Sequence, residues 1–403
     1  MKKLQLSTSS NWIPVLLLFL LVVVWAEVDL YAPGFTDMMY YFKTDEAHIQ
    51  WTLSINFLGF FSSCLIVGPL SDSFGRRNIL IMGTVIFIFG SVFCIFSESM
   101  EMFLLGRFIQ GLGVSAPAVT AAAIITDVYQ GAKQAKALSL INSMITIVMA
   151  SAPIAGVFFT SNFGWRSNFW VMTLCSIIGV VLIFFFLPET LQKENRRPFS
   201  KDGLITGYVE VMTSKVFIAC MLGLCLAVSS YWVFIGMIPL LFVDKLGMSL
   251  TTYGFYQGAI VSTFAFLSLI FPFILHKVNA TKIARSSVYL SFLAALSLLV
   301  IAVLIPDNPH ILTLFMCLYV IGLVFPNNLL FVKAMEGFSD LRGSASSAFL
   351  GGRMLITAMA TSISGITYNG TFFSIACCAV GLIVLAMPLM LWMLQHPKPK
   401  PAG

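Results

Sequence analysis

Apolar runs of about twenty residues, each closed by charges, proline or glycine, recur along the whole chain and give twelve spans: 12–32, 49–70, 78–97, 102–125, 137–160, 167–187, 216–243, 251–275, 286–305, 311–332, 343–367 and 371–394. At the helical rise, that length crosses the hydrocarbon core of a bilayer. The alternating ten-residue pattern of a barrel strand is absent. The longest interior polar stretch, Pro188 to Ser214, separates six spans from six and holds no long apolar run. The pattern predicts an all-α membrane protein of twelve transmembrane helices in two pseudo-symmetric six-helix bundles: 1–187, a linker at 188–214, and 215–403. Disorder is expected only in the tail from Pro397 to Gly403.

Composition agrees with this pattern. The 403 residues are 59% hydrophobic and only 10% charged, against about 25% charged in soluble domains. The net charge of +6 does not point to nucleic acid, because the basic residues are scattered through short loops. Eighteen of the 23 Lys and Arg fall at the N-terminus, in alternate loops or in the C-terminal tail, and the opposite loops hold only Lys43, Arg166 and Lys245. By the positive-inside rule both termini and the linker are cytoplasmic. Lys2 and Lys3 precede an apolar run as in a signal peptide, but that run meets Glu27, Asp29 and Pro33 instead of a cleavage site, so a retained first helix is expected.

Little here suggests cofactor chemistry. The eight cysteines all lie in apolar runs without a C-x-x-C pair, and read as small buried hydrophobes. The four histidines sit at span ends or in loops, and no P-loop is present, so neither a histidine proton relay nor ATP hydrolysis is expected. Gly111-Leu112-Gly113-Val114-Ser115-Ala116 satisfies a dinucleotide fingerprint, yet no strand precedes it; the small residues are expected to serve helix packing.

Four ionisable residues lie well inside the spans: Glu27, Asp29, Arg107 and Arg353. Each costs about 2.5–3.5 kcal/mol at mid-membrane on insertion scales, which directs attention to paired or functional roles. Arg107 is about 7 Å below the start of its helix at the helical rise, a depth that matches the two acids of the first span. Either Glu27 or Asp29 is therefore expected beside it, with competition among proton, arginine and substrate for the carboxylate coupling transport to a proton gradient. Two positions apart on a helix is about 200° of rotation, so both acids cannot face one cavity. The second half has no acid inside a span. It offers Tyr231, Trp232, Tyr256, Gln257, the adjacent Asn327 and Asn328, and Arg353, which is expected either to bind an anionic substrate group or to pair with helix carbonyls.

The decapeptide Gly68-Pro69-Leu70-Ser71-Asp72-Ser73-Phe74-Gly75-Arg76-Arg77 reads as a tight polar hinge in which Pro69 ends a helix. It resembles the loop between helices 2 and 3 of the major facilitator superfamily, of pattern G-x-L-x-D-R-x-G-R-R/K. Ser73 stands where most members carry a basic residue. Leu187-Pro188-Glu189-Thr190-Leu191 resembles the family's P-E-T end of helix 6, and Arg107-Phe108-Ile109-Gln110-Gly111 its R-F-x-x-G element of helix 4. Asp29-Leu30-Tyr31-Ala32-Pro33 resembles the D-x-Y-x-P segment of the bicyclomycin-resistance (Bcr/CflA) group of drug:proton antiporters, and on that likeness Asp29 is favoured over Glu27. Ser346 to Arg353 resembles the S-S-x-x-G-x-x-R stretch of the same group, with Leu350 at its glycine position and glycines at 351 and 352. Ala152-Pro153-Ile154-Ala155-Gly156 resembles the antiporter motif of helix 5, without its additional glycine.

The resemblance implies a monomeric, proton-coupled secondary transporter of a bacterial cytoplasmic membrane, without a cofactor, exporting small amphipathic compounds by alternating access. A proton-coupled importer of a metabolite or siderophore on the same fold is the alternative. Proton coupling falls to Asp29, Glu27 and Arg107, and the conformational motif to Gly68, Asp72, Gly75, Arg76, Arg77, Pro153 and Gly156. Substrate contacts are expected from Tyr31, Gln110 and Asn142 in the first half, and from Tyr231, Trp232, Gln257, Asn327, Asn328 and Arg353 in the second.

Overall fold

The computed structural model describes residues 12–196, 201–275, 279–336, 338 and 341–395. Lys2, Lys3, Arg197, His276, Lys277, His396, Lys398, Lys400 and the tail from Pro397 lie outside these residues. The helices are α1 (Ile13–Tyr31), α2 (Phe35–Phe42), α3 (Glu46–Phe74), α4 (Arg76–Ile95), α5 (Met100–Val128), α6 (Gly131–Phe163) and α7 (Arg166–Phe186). After the linker helix α8 (Lys201–Thr213) come α9 (Lys215–Pro239), α10 (Leu250–Leu275), α11 (Ala280–Leu304), α12 (Pro309–Glu336), α13 (Arg342–Thr367) and α14 (Phe372–Gln395). Among the described residues twelve helical stretches are long and apolar enough to cross a membrane.

The first stretch outruns its expected end at Pro33. A 3-10 turn at Ala32–Gly34 joins α1 to α2, so the helical path continues to Phe42. Proline is tolerated at the start of a helical turn, where its missing N–H has no intrahelical acceptor. Pro69 likewise fails to end α3, which runs through it to Gly75. The expected ten-residue hinge contracts to Gly75, whose φ of +95° favours glycine and where a Cβ would meet the Glu189 carboxylate.

The helix that survives Pro69 has a carbonyl to satisfy. Proline at 69 has no N–H to give the Leu65 oxygen four residues earlier. The Tyr208 hydroxyl of α8 donates to that oxygen at 2.8 Å. The linker is therefore not featureless: it contains a helix whose tyrosine repairs a defect in α3. Tyr208→Phe is expected to leave the carbonyl without a donor and cost about 1 kcal/mol. In a Pro69→Ala background, where an N–H at 69 can donate instead, the cost should vanish; thermal unfolding of the four proteins checks this.

The two bundles repeat one packing scheme. In the first, α1 packs on α5, α6 and α7, α3 on α5, and α4 on α5 and α7. In the second, α9 packs on α12, α13 and α14, α10 on α12, and α11 on α12 and α14. These are the same pairings six spans later. The bundles meet along two seams, α3 with α13 and α6 with α10, which exchange under the pseudo-twofold.

Small residues set the closest approaches. A Cβ on Gly111 would meet the Asn56 carbonyl of α3, and one on Gly113 the Phe87 backbone of α4, while Ala116 lies over Gly83. The dinucleotide-like fingerprint is thus a packing stripe, as expected from its setting.

Hydrogen bonds cross between the bundles at the end of the molecule that carries Pro33. Tyr40 Oη donates to Asp244 Oδ1 at 2.8 Å, and Gln50 Nε2 to the Gly236 carbonyl at 2.6 Å. Deeper in the α3–α13 seam, the Ser54 and Thr361 hydroxyls are 2.8 Å apart. Toward the Gly75 end the same seam continues with Cys64 Sγ donating to the Ser347 carbonyl at 3.8 Å.

Candidate functional site

Helix α1 carries the two acids that lie well inside a span of the first bundle, and its rotation decides what each one meets. Glu27 and Asp29 are both almost fully buried. Glu27 Oε2 lies 3.7 Å from Arg107 Nη1 of α5, and Arg107 is fully buried. The depth match was sound, but the partner favoured on resemblance, Asp29, is not the one beside the arginine. The rotation of α1 that presents Glu27 to α5 turns Asp29 toward the other bundle.

Arg107 sits in a closed cluster. Its Nη1 donates to Gln110 Oε1 at 2.6 Å, its Nε to the Thr52 carbonyl at 3.3 Å, and its guanidinium carbon stands 4.3 Å from the Tyr31 ring centroid. Gln110 Nε2 donates onward to Ser91 at 2.6 Å, and the Tyr31 and Thr52 hydroxyls are 2.9 Å apart. Gln110 and Tyr31, expected at the substrate, are instead sealed into this cluster; at 0% and 1% exposure neither is open to a ligand. Sequence reasoning missed Thr52, Ser91 and Asn56, whose Nδ2 donates to the Arg107 carbonyl at 3.3 Å; these are neutral residues on α3 and α4 whose roles depend on which helix faces α5.

Asp29 bridges the bundles. Gln257 Nε2 of α10 donates to its Oδ1 at 3.2 Å, and Gln257 is itself fully buried. Gln257 Oε1 accepts from the Tyr253 hydroxyl, one turn earlier in α10. Asp29 Oδ2 is buried and has no hydrogen-bond partner among the described residues. The carboxylate therefore stands at the α1–α10 contact with one oxygen held by the opposite bundle and one free.

Gly156 brings α6 against α1 at this level, because a Cβ there would overlap the Leu30 carbonyl, next to Asp29. Pro153 lies within the same helix, one turn earlier. Gly156→Leu should force the two helices apart and cost about 1–3 kcal/mol, with Gly156→Ala milder; thermal unfolding in detergent measures both.

The second bundle brings aromatic rings and a cation to the interface. Trp232 meets Phe57 of α3 edge-on at 5.5 Å, and Tyr231 stacks on Phe264 of α10 at 6.2 Å. Tyr231 lies within electrostatic reach of Asp29 and of Arg353. The side chain of Arg353, half-buried on α13, makes no ion pair or hydrogen bond among the described residues, and its Nε is buried without a partner. Of its two expected roles, pairing with helix carbonyls is not seen among the described residues. Asn328 Nδ2 donates to the Val324 carbonyl of its own helix at 2.9 Å, Asn327 is half-buried, and Asn142 is exposed on α6. None of these asparagines joins the group.

At the other end of the molecule, the Gly75 loop is held by charges. Arg76 pairs with Asp72 and, through Nε, with Asp127 Oδ2 at 3.2 Å. The Glu189 carboxylate accepts the Arg76 backbone N–H at 2.9 Å, placing an anion at the N-terminus of α4. Arg77 Nη2 donates to the Phe184 carbonyl at 2.5 Å. A Cβ on Gly68, in the last turns of α3, would sit 3.4 Å from Ser347 Oγ of α13, so the bundles also touch close to this loop. Asp127 escaped sequence reasoning; its signal is an acid at the end of a span that finishes level with the basic loop.

Two homologous-looking six-helix bundles, facing each other across seams that hold a carboxylate and aromatic rings, define a multi-pass secondary transporter. The sequence model of the Major Facilitator Superfamily matches residues 17–361, and the chain belongs to that family. It is 28% identical over 331 residues to the multidrug resistance protein MdtL of Escherichia coli O81 (strain ED1a), covering 82% of each chain. It is 25% identical over 277 residues to a bicyclomycin resistance protein homolog of Haemophilus influenzae, covering 69% of this chain and 70% of the relative. Its fold is similar to that of a bacterial homolog of the human lysosomal transporter Spinster in an inward-facing, occupied conformation, with a TM-score of 0.77 at 15% identity, over 98% of this chain and 100% of the other.

Proposed function

We propose that the protein is a proton-coupled efflux antiporter of a bacterial cytoplasmic membrane, acting as a monomer with both termini in the cytoplasm. It exchanges small amphipathic compounds for protons, with no cofactor beyond the proton gradient. The observation that carries this is Asp29: a buried carboxylate on the first bundle, gripped on one oxygen by Gln257 of the second and free on the other. A proton arriving at that oxygen removes the charge and alters the hold between the bundles, so protonation and rocking are linked at one atom. Glu27, beside Arg107, serves inside the first bundle as a structural pair. The names of the MdtL and bicyclomycin-resistance relatives support drug-like cargo.

The scaffold serves import and export alike, so direction needs its own experiment. Inverted membrane vesicles containing the protein are given an acidic lumen and labelled bicyclomycin or a panel of fluorescent amphipathic dyes. Accumulation of a probe in the lumen, collapsing when the pH difference is abolished, is the expected result. Proton-driven exit of the same probes from preloaded vesicles would identify an importer instead.

A further inference from the structure

Arg353 is the least explained charge in the molecule. It lies about 16 Å along α13 from its start at the helical rise, and so near the middle of the helix. The other charges inside the spans have partners: Arg107 has Glu27, and Asp29 has Gln257. Arg353 has none among the described residues, although its Nε is buried. An intramembrane cation is ordinarily paired with an acid or with carbonyls, and neither partners it among the described residues. The spans of the second bundle carry acids only at their ends, Asp244 and Glu336, away from the middle of the helices.

Its surroundings are chemically specific. The Tyr231 hydroxyl, within electrostatic reach, also makes no hydrogen bond among the described residues. Tyr231 in turn stacks on Phe264 and touches Trp232 edge-on at 5.7 Å. A planar guanidinium fork, a free hydroxyl and an aromatic wall together match a carboxylate carried on an apolar ring: the fork takes both oxygens, and the rings take the body. Asp29, which also lies within electrostatic reach of Tyr231, repels such a ligand when charged, and its protonation relieves the repulsion.

We infer that Arg353 and Tyr231 form an anion subsite, and that the preferred substrates are amphipathic aromatic carboxylates. This rests on the transporter reading above and names the substrate class of its central site. Equilibrium binding to the purified full-length chain tests it independently of direction and proton coupling. Isothermal titration calorimetry compares naphthoate with the neutral naphthamide. Wild type should bind the acid at least about tenfold more tightly than the amide. Arg353→Gln should abolish that preference while changing amide affinity by less than about twofold, and Arg353→Lys should keep part of it because a point charge replaces the fork. Retained amide binding also shows that the Gln variant is folded. Equal binding of acid and amide by wild type, no binding of the acid, or a preference that survives in Arg353→Gln would each overturn the subsite. A chain that shows the preference but moves no probe in response to a pH gradient would contradict the antiporter reading and leave the subsite standing.

Discussion

Asp29→Asn is expected to abolish accumulation driven by a pH gradient while leaving the protein folded and able to exchange substrate across the membrane without a gradient. The amide oxygen of Asn can still accept from Gln257 Nε2, so the contact between α1 and α10 is kept; only the exchangeable proton is lost. With one proton exchanged per substrate, each unit of pH difference is worth about 1.4 kcal/mol and supports about tenfold accumulation. The Asn variant should show none of that dependence. Probe uptake into inverted vesicles at several imposed pH differences, paired with substrate counterflow at equal pH, separates the two outcomes. Loss of counterflow together with accumulation would mean that Asp29 holds the bundles together without carrying protons.

The second large effect falls on stability. Arg107→Ala leaves Glu27 buried without its cation and removes the donors to Gln110 and the Thr52 carbonyl. Breaking a buried pair by deleting one partner costs about 3–5 kcal/mol, whereas replacing both partners by apolar residues is often neutral or stabilising. The single variant should therefore melt well below wild type in detergent, and Arg107→Met combined with Glu27→Met should recover most of the loss. A single variant as stable as wild type would remove the pair from the architecture of the first bundle. Asp29→Asn, which leaves no ion without its counter-ion, should melt close to wild type, so stability and transport assign different tasks to the two acids.

What could be read from the sequence followed physical scale. Apolar run lengths placed the twelve spans, because hydrocarbon thickness imposes a length that no tertiary contact alters. The small residues at 111, 113 and 116 were recognisable as packing positions because nothing else fits a helix without a preceding strand. Helix rotation was not legible. Whether Glu27 or Asp29 meets Arg107 depends on how α6 seats against α1 through Gly156, a contact between residues more than a hundred positions apart. Pro69 misled for a related reason: a proline's local penalty suggests a helix end, but the freed carbonyl is satisfied by Tyr208 from a linker helix too short and too polar to register as a span. Gln110 and Tyr31 were expected to touch substrate because polar groups inside spans attract that assignment. The structure uses them to surround a buried arginine.

Infrared difference spectroscopy on the purified protein in lipid, recorded between alkaline and acidic buffer, observes the exchange of a proton at Asp29 without requiring a known substrate. The account predicts a carboxylic-acid carbonyl band that grows on acidification, persists in Glu27→Gln and is missing in Asp29→Asn. A band that survives in Asp29→Asn and is lost in Glu27→Gln would contradict it, and would move proton exchange into the Arg107 cluster.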